Sequence, residues 1–184
     1  MFDREKLISL VHEKALQFGD FTLASGKKAS FYLDCRKLTL DSQGINQVAA
    51  GMLSLLKEDM PDAVGGMAIG ADPITAGIIT IAGQHGTPLK GFIVRKEEKQ
   101  HGAGRMVEGP VEPGDSAVIV EDVVTTGGSS LKAIQHAEAF GLKIKGVVAI
   151  IDRLEGGSQA FAAAGYELRT LLTIRDFGIE PPAV

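Results

Sequence analysis

The chain has 184 residues, 45% of them hydrophobic and 23% charged, with a net charge of −4; this is the balance of one soluble globular domain, long enough to bury its own core. That charge excludes the broad cationic face of a nucleic-acid-binding protein, so a phosphate ligand must be met by a local basic cluster. Cys35 is the only cysteine, which rules out an intrachain disulfide and a cysteine-rich metal site and leaves a small packing residue. The N-terminal MFDREKLISL carries charge where a signal peptide has its apolar core, and no apolar run approaches membrane-spanning length, so a cytoplasmic chain is expected.

Apolar Leu7, Ile8, Leu10, Val11, Ala15, Leu16 and Phe18 recur at helical spacing and predict an amphipathic helix over 3–18, with Gly19 as its stop. Two short strands, 21–24 and 30–34, follow around the turn Ser25-Gly26-Lys27-Lys28. Asp41 is placed to cap a helix over 42–57, whose apolar face is Ile45, Val48, Ala49, Met52, Leu53 and Leu56. Pro61 closes that unit. Strand and helix patterns then alternate: strand 64–69, helix 74–84, strand 89–94, a long loop, strand 117–120, helix 130–140, strand 144–151, helix 158–164 and strand 167–172. Such alternation predicts an open α/β domain with a mainly parallel sheet. Gly70-Ala71-Asp72-Pro73, Arg95-Lys96, Glu121-Asp122 and Asp152-Arg153 each follow a predicted strand. They therefore gather at the carboxyl edge, where open α/β sheets bind ligands.

Residues 117–130, AVIVEDVVTTGGSS, hold the densest chemistry. The β-branched run predicts a strand buried on both faces. Glu121 and Asp122 come next, and Thr125-Thr126-Gly127-Gly128-Ser129 can turn several backbone N–H groups onto one anion at a helix start. The run has neither the Lys-Ser/Thr ending of a P-loop nor the G-x-G-x-x-G of a dinucleotide site. Carboxylates beside a phosphate cradle suit a phosphorylated sugar, because they accept hydrogen bonds from its hydroxyls. The plainer alternative is a strand, a turn and a capped helix. The loop RKEEKQHGAGRMVE, residues 95–108, concentrates Arg95, Lys96, Lys99, His101 and Arg105 with almost no large apolar residue; its plainer alternative is a solvated excursion.

The stretch AVIVEDVVTTGGSS resembles the PRPP (5-phosphoribosyl 1-diphosphate) signature of the type I phosphoribosyltransferases. The resemblance implies that fold, with a central mainly parallel sheet flanked by helices. It assigns PRPP to Glu121, Asp122, Val123, Val124, Thr125, Thr126, Gly127, Gly128 and Ser129, with the acids on the ribose hydroxyls and the loop on the 5′-phosphate. Two further motifs are similar to the orotate branch of the family: FTLASGKKASFYLDCR, which there forms a small N-terminal hood, and R-K-x-x-K-x-H-G, its catalytic lid. They imply diphosphate contacts from Arg95, Lys96, Lys99 and His101, and orotate contacts from Thr125 and Arg153. A planar guanidinium fork suits a carboxylate, although Arg153 could instead pair locally with Asp152. Catalytic roles fall by resemblance to Lys99, Asp122 and His101, with Mg²⁺ as cofactor and no metal ligand assigned directly.

The implied organisation is one domain, with helix and hood over about 1–40 and the core over about 41–184. It is expected to work as a homodimer whose lid is shared between subunits. The implied reaction joins orotate to PRPP, giving orotidine 5′-monophosphate and diphosphate. Ala24 and Pro73 stand where some members carry a ligand-reaching lysine. A purine-specific relative would keep the PRPP loop without the hood and lid motifs, and a PRPP-sensing regulator would carry an added basic region.

Overall fold

Two local signals in the sequence set the first helices. The structure, a computed structural model, describes residues 1–22, 28–97 and 105–182. Asp3 accepts from the Lys6 N–H at 3.0 Å and starts α1 (Arg4–Lys14), satisfying one of the donors that a first turn leaves free. The helix stops at Lys14, short of the expected Phe18. The backbone of Leu16, Gln17 and Phe18 is taken up instead by pairing with Leu33, Tyr32 and Phe31, in an antiparallel hairpin of β1 (Leu16–Thr22) and β2 (Lys28–Leu33). Phe18 is consequently 61% exposed and adds nothing to the helix's buried face. After a four-residue helix, α2 (Arg36–Thr39), Asp41 accepts from the Gln43 and Gly44 N–H groups, both at 3.0 Å, and begins α3 (Ser42–Leu56) as expected.

The alternating part follows as β3 (Ala63–Met67), α4 (Ala71–Gln84), β4 (Lys90–Val94), β5 (Val107–Glu108), β6 (Ser116–Val124), α5 (Gly128–Phe140), β7 (Lys143–Asp152), α6 (Gly157–Ala163) and β8 (Leu168–Thr173). The six strands β3 to β8 form one sheet in the order β5-β4-β3-β6-β7-β8, parallel throughout except for the β4–β5 pair. The two-residue β5 lies inside the predicted long loop, where a run so short has no period to detect. Its antiparallel pairing, with Arg95 N–H donating to Met106 O at 2.9 Å, ties the two ends of that loop together.

Side chains alternate across β6: Val118 and Val120 enter a core with α1 to α4, while Ala117 and Ile119 enter a second core with α5 and α6. The sheet is thus covered on both faces, as a parallel sheet requires. Strand order reverses between β3 and β6, the place where two neighbouring connections part. No helix among the described residues is long and apolar enough to cross a membrane.

Close strand packing at β3 depends on glycine. A Cβ on Gly65 would fall 2.6 Å from the Phe92 ring and against the Phe92 carbonyl oxygen. Gly65→Ala is expected to cost about 1–3 kcal/mol of stability through overpacking, lowering the thermal midpoint by roughly 3–10 °C. Circular dichroism melts of the variant check this, and an unchanged midpoint would mean that the strand pair relaxes freely.

Candidate active site

The carboxyl ends of β3 and β6 open into a cleft of about 380 Å³, a volume suited to a small ligand. Its walls include Tyr32 and Asp34 from the hairpin region, Gly70 after β3, Lys96 after β4, Asp122 in β6 and Arg153 after β7. Larger surface hollows of about 810 and 610 Å³ run beside α3 and α4. Their walls include Gln, Asn and Ser side chains and Pro73 but none of Lys96, Glu121, Asp122 and Arg153, so the chemistry belongs to the smaller cleft.

The acids sit inside β6, not beyond its end as expected. Both acids line the cleft with their carboxyls within reach of each other, but each takes a different further partner. Glu121 follows Ala117 and Ile119 onto the α5 side, where it is only 8% exposed and its Oε2 accepts from the Ser130 hydroxyl at 2.7 Å. Burial pushes its carboxyl from the ordinary 4.5 up to about 7, with the Ser130 hydrogen bond opposing that rise. Asp122 points toward the end of β3. A Cβ on Gly70 would stand 3.3 Å from its Oδ1, and the same oxygen accepts from the Val123 N–H at 2.8 Å.

Past Gly70, Asp72 carries one buried carboxylate oxygen without a hydrogen-bond partner, and burial raises its pKa. Pro73 lies in the first turn of α4, where its missing N–H costs no helical bond.

The phosphate-type loop joins β6 to α5. Val123 packs toward the first core and Val124 is buried in the second, so both anchor the loop through their side chains. Gly127 holds φ +80°, and a Cβ there would meet the Phe161 ring at 3.0 Å, so the turn takes glycine on both counts. Gly127 also caps α5 without any side-chain hydrogen bond, which leaves the first-turn N–H groups for an anion. Thr125 and Ser129 line the cleft, with Thr126 and Gly128 exposed on the turn between them.

Arg153 reaches the cleft from the turn after β7, held by its N–H donating to Val124 O at 2.9 Å. Its partner is Glu155 rather than Asp152: Nε and Nη2 each lie 2.7 Å from Glu155 Oε1, while Asp152 accepts from the Leu154 N–H at 2.8 Å. Leu154 takes φ +58° to make this turn. The guanidinium carbon stands 4.8 Å from the centre of the Phe31 ring, which brings β2 onto the site. The hood motif FTLASGKKASFYLDCR points to the strand that carries Phe31 without singling out that residue, whereas Glu155 has no sequence signal beyond the Arg-x-Glu spacing.

Asp34 and Arg36 form a two-pronged pair at 2.8 and 3.1 Å, and that hydrogen bonding holds the Asp34 carboxyl below its usual range. Burial pushes the Cys35 thiol well up, in keeping with a packing role. Arg95 Nε donates to Glu108 Oε1 at 3.1 Å at the base of the β4–β5 loop, and Lys96 lines the cleft. Lys99 and His101 lie outside the described residues, as does Ala24. Among the described residues no group of three or more His, Cys, Asp or Glu is placed to hold a metal ion.

No family model matches the chain. It is 60% identical over 185 residues to the orotate phosphoribosyltransferase of Rhodopirellula baltica, covering 97% of this chain and 96% of that one. Among solved structures, the Mycobacterium tuberculosis orotate phosphoribosyltransferase in complex with Fe(III) dicitrate superposes with a TM-score of 0.86 at 34% identity, covering 96% and 99% of the two chains. The same enzyme in complex with PRPP gives 0.82 at 31% identity, again over 96% and 99%. With the strand-end acids, the uncapped start of α5 and near-complete coverage in agreement, the chain belongs to the orotate phosphoribosyltransferase family.

Proposed function

We infer that the strand-end cleft is where this pentosyltransferase of pyrimidine biosynthesis moves the 5-phosphoribosyl group from PRPP to orotate, releasing diphosphate and orotidine 5′-monophosphate. The observation that carries the reading is the joining of Asp122, Glu121 and the uncapped N-terminus of α5 within one turn at the strand-order reversal. The first turn of α5, with Thr126 and Ser129, receives the 5′-phosphate. Asp122 and Glu121 accept hydrogen bonds from the ribose hydroxyls, which fixes C1 above the cleft floor. Arg153 and Thr125 take the orotate ring from the hood side, Arg153 through the guanidinium edge that Glu155 leaves open.

As the C1–diphosphate bond lengthens, positive charge builds on the ribose and negative charge on the leaving group. Lys96 and Arg95, with Lys99 and His101 from the lid, stabilise the departing anion. Asp122 faces the developing cation. The orotate ring nitrogen is conjugated and readily ionised, so the bond to C1 forms without a dedicated protein base. The cleft offers a hard cation the carboxylates of Asp122 and Glu121, which fits Mg²⁺: such ions keep several waters and bind through one or two carboxylates plus substrate phosphates. Asp122 is the protein group that would hold it, and the ion would neutralise diphosphate charge.

We infer further that the chain works in the cytoplasm as a two-fold dimer in which Lys99 and His101 of one copy close over the PRPP loop of the other. The 95–107 connection leaves from β4 and β5 at the outer edge of the sheet, which suits reach across a subunit boundary.

A spectrophotometric assay with PRPP and Mg²⁺ should show orotate consumed while hypoxanthine and uracil are not; activity on hypoxanthine alone would overturn the substrate reading. Arg153→Ala is expected to raise KM for orotate about tenfold or more, the effect of losing a charge-assisted pair, while PRPP affinity changes little. An equal loss for both ligands would refute that division of roles. Mixing inactive Lys99→Ala and Asp122→Asn chains under subunit exchange should restore about a quarter of wild-type activity, because about half the dimers are hybrids with one intact site each. No recovery despite demonstrated exchange would mean that each lid serves its own chain.

A further inference from the structure

We propose that Ser130 is a positioning residue for phosphoribosyl transfer, holding Glu121 in the orientation that receives the ribose hydroxyls. The proposal rests on the reading of Glu121 as a ribose ligand given above. Ser130 is the third residue of α5 and is only 1% exposed, although first-turn residues normally face solvent or an incoming anion. Its hydroxyl points back across the second core to β6 and donates to Glu121 Oε2 at 2.7 Å, a short charge-assisted contact. Among the described residues the N–H that donates to the other carboxylate oxygen is that of Asp122 at 3.3 Å, a long bond from the adjacent residue. Ser130 is therefore the principal fixed donor to Glu121 among the described residues.

The consequence is geometric. Glu121 has three side-chain torsions, and with one oxygen tied to α5 its remaining acceptor positions are turned to the cleft that it lines. The same helix presents its first N–H groups to the phosphate, so one rigid element sets the phosphate contact and the ribose contact together. A hydroxyl is the smallest side chain able to do this from a buried position. Alanine there removes the tether and nothing larger.

Steady-state kinetics of the full chain with varied PRPP and varied orotate test the proposal. Ser130→Ala should lower kcat/KM for PRPP about tenfold or more while KM for orotate stays within about twofold, the scale of a lost hydrogen bond to a charged group. Ser130→Cys, which keeps the buried shape with a weaker donor, should fall between. It also carries the comparison if the alanine variant does not fold. In a Glu121→Gln background, Ser130→Ala should add no further loss, because the hydroxyl acts only through that carboxylate. Wild-type PRPP kinetics in Ser130→Ala, an equal loss for both substrates, or a full additional loss in the Glu121→Gln background would each overturn the positioning role. Wild-type kinetics in Glu121→Gln itself would instead overturn the ribose-ligand reading on which it rests.

Discussion

Between β3 and β6 the chain leaves two adjacent parallel strands toward opposite faces of the sheet, to α4 on one side and α5 on the other. Side-by-side strands whose connections part in this way cannot close over their own carboxyl ends, so a crevice is left there. Everything chemical in this chain depends on that gap. Gly70 lets the β3 connection come within contact of Asp122, and Gly127 lets the β6 connection turn tightly against Phe161 before α5 begins. A side chain at Gly70 would press on Asp122 in the crevice, and one at Gly127 would press on Phe161 beneath the loop.

The crevice is also where the fold accepts poorly solvated charge. Glu121 is nearly buried beside Asp122, and the cost of that burial shows in its raised pKa. Groups held in this way are strongly oriented and incompletely satisfied, which suits a site that receives a ligand rich in hydroxyls and phosphate. The carboxylates elsewhere are placed differently: Asp3 and Asp41 cap helices, and Asp115 pairs with Lys90.

The hairpin β1–β2 forms a sheet of its own, yet it is tied to the crevice through its side chains. Phe31 lies against the Arg153 guanidinium, and Asp34 with Arg36 forms a rigid fork at the rim. Arg153 is thus bounded on its ring face by one sheet and on one edge by Glu155 from its own turn. An arginine fixed on two sides presents a defined remaining edge, and its flexible stem loses less freedom when a planar anion binds.

Much of this was legible in the sequence because it is local. Asp41 and the face of α3, the β-branched runs of β6 and β7, and the TTGGS turn all express preferences that operate within a few residues. Strand alternation with helices was enough to place the polar clusters at one edge of a parallel sheet. What tertiary structure alone decided is where backbone pairing or side-chain direction depends on a distant partner. Leu16 to Phe18 read as helix by period and became strand because β2 supplied a hydrogen-bonding edge. The two-residue β5 exists only against β4. Glu121 and Asp122 stay one acidic pair at the cleft, as their adjacency suggests, but the partners that fix them, Ser130 of α5 for the one and the close approach of Gly70 after β3 for the other, come from distant parts of the chain.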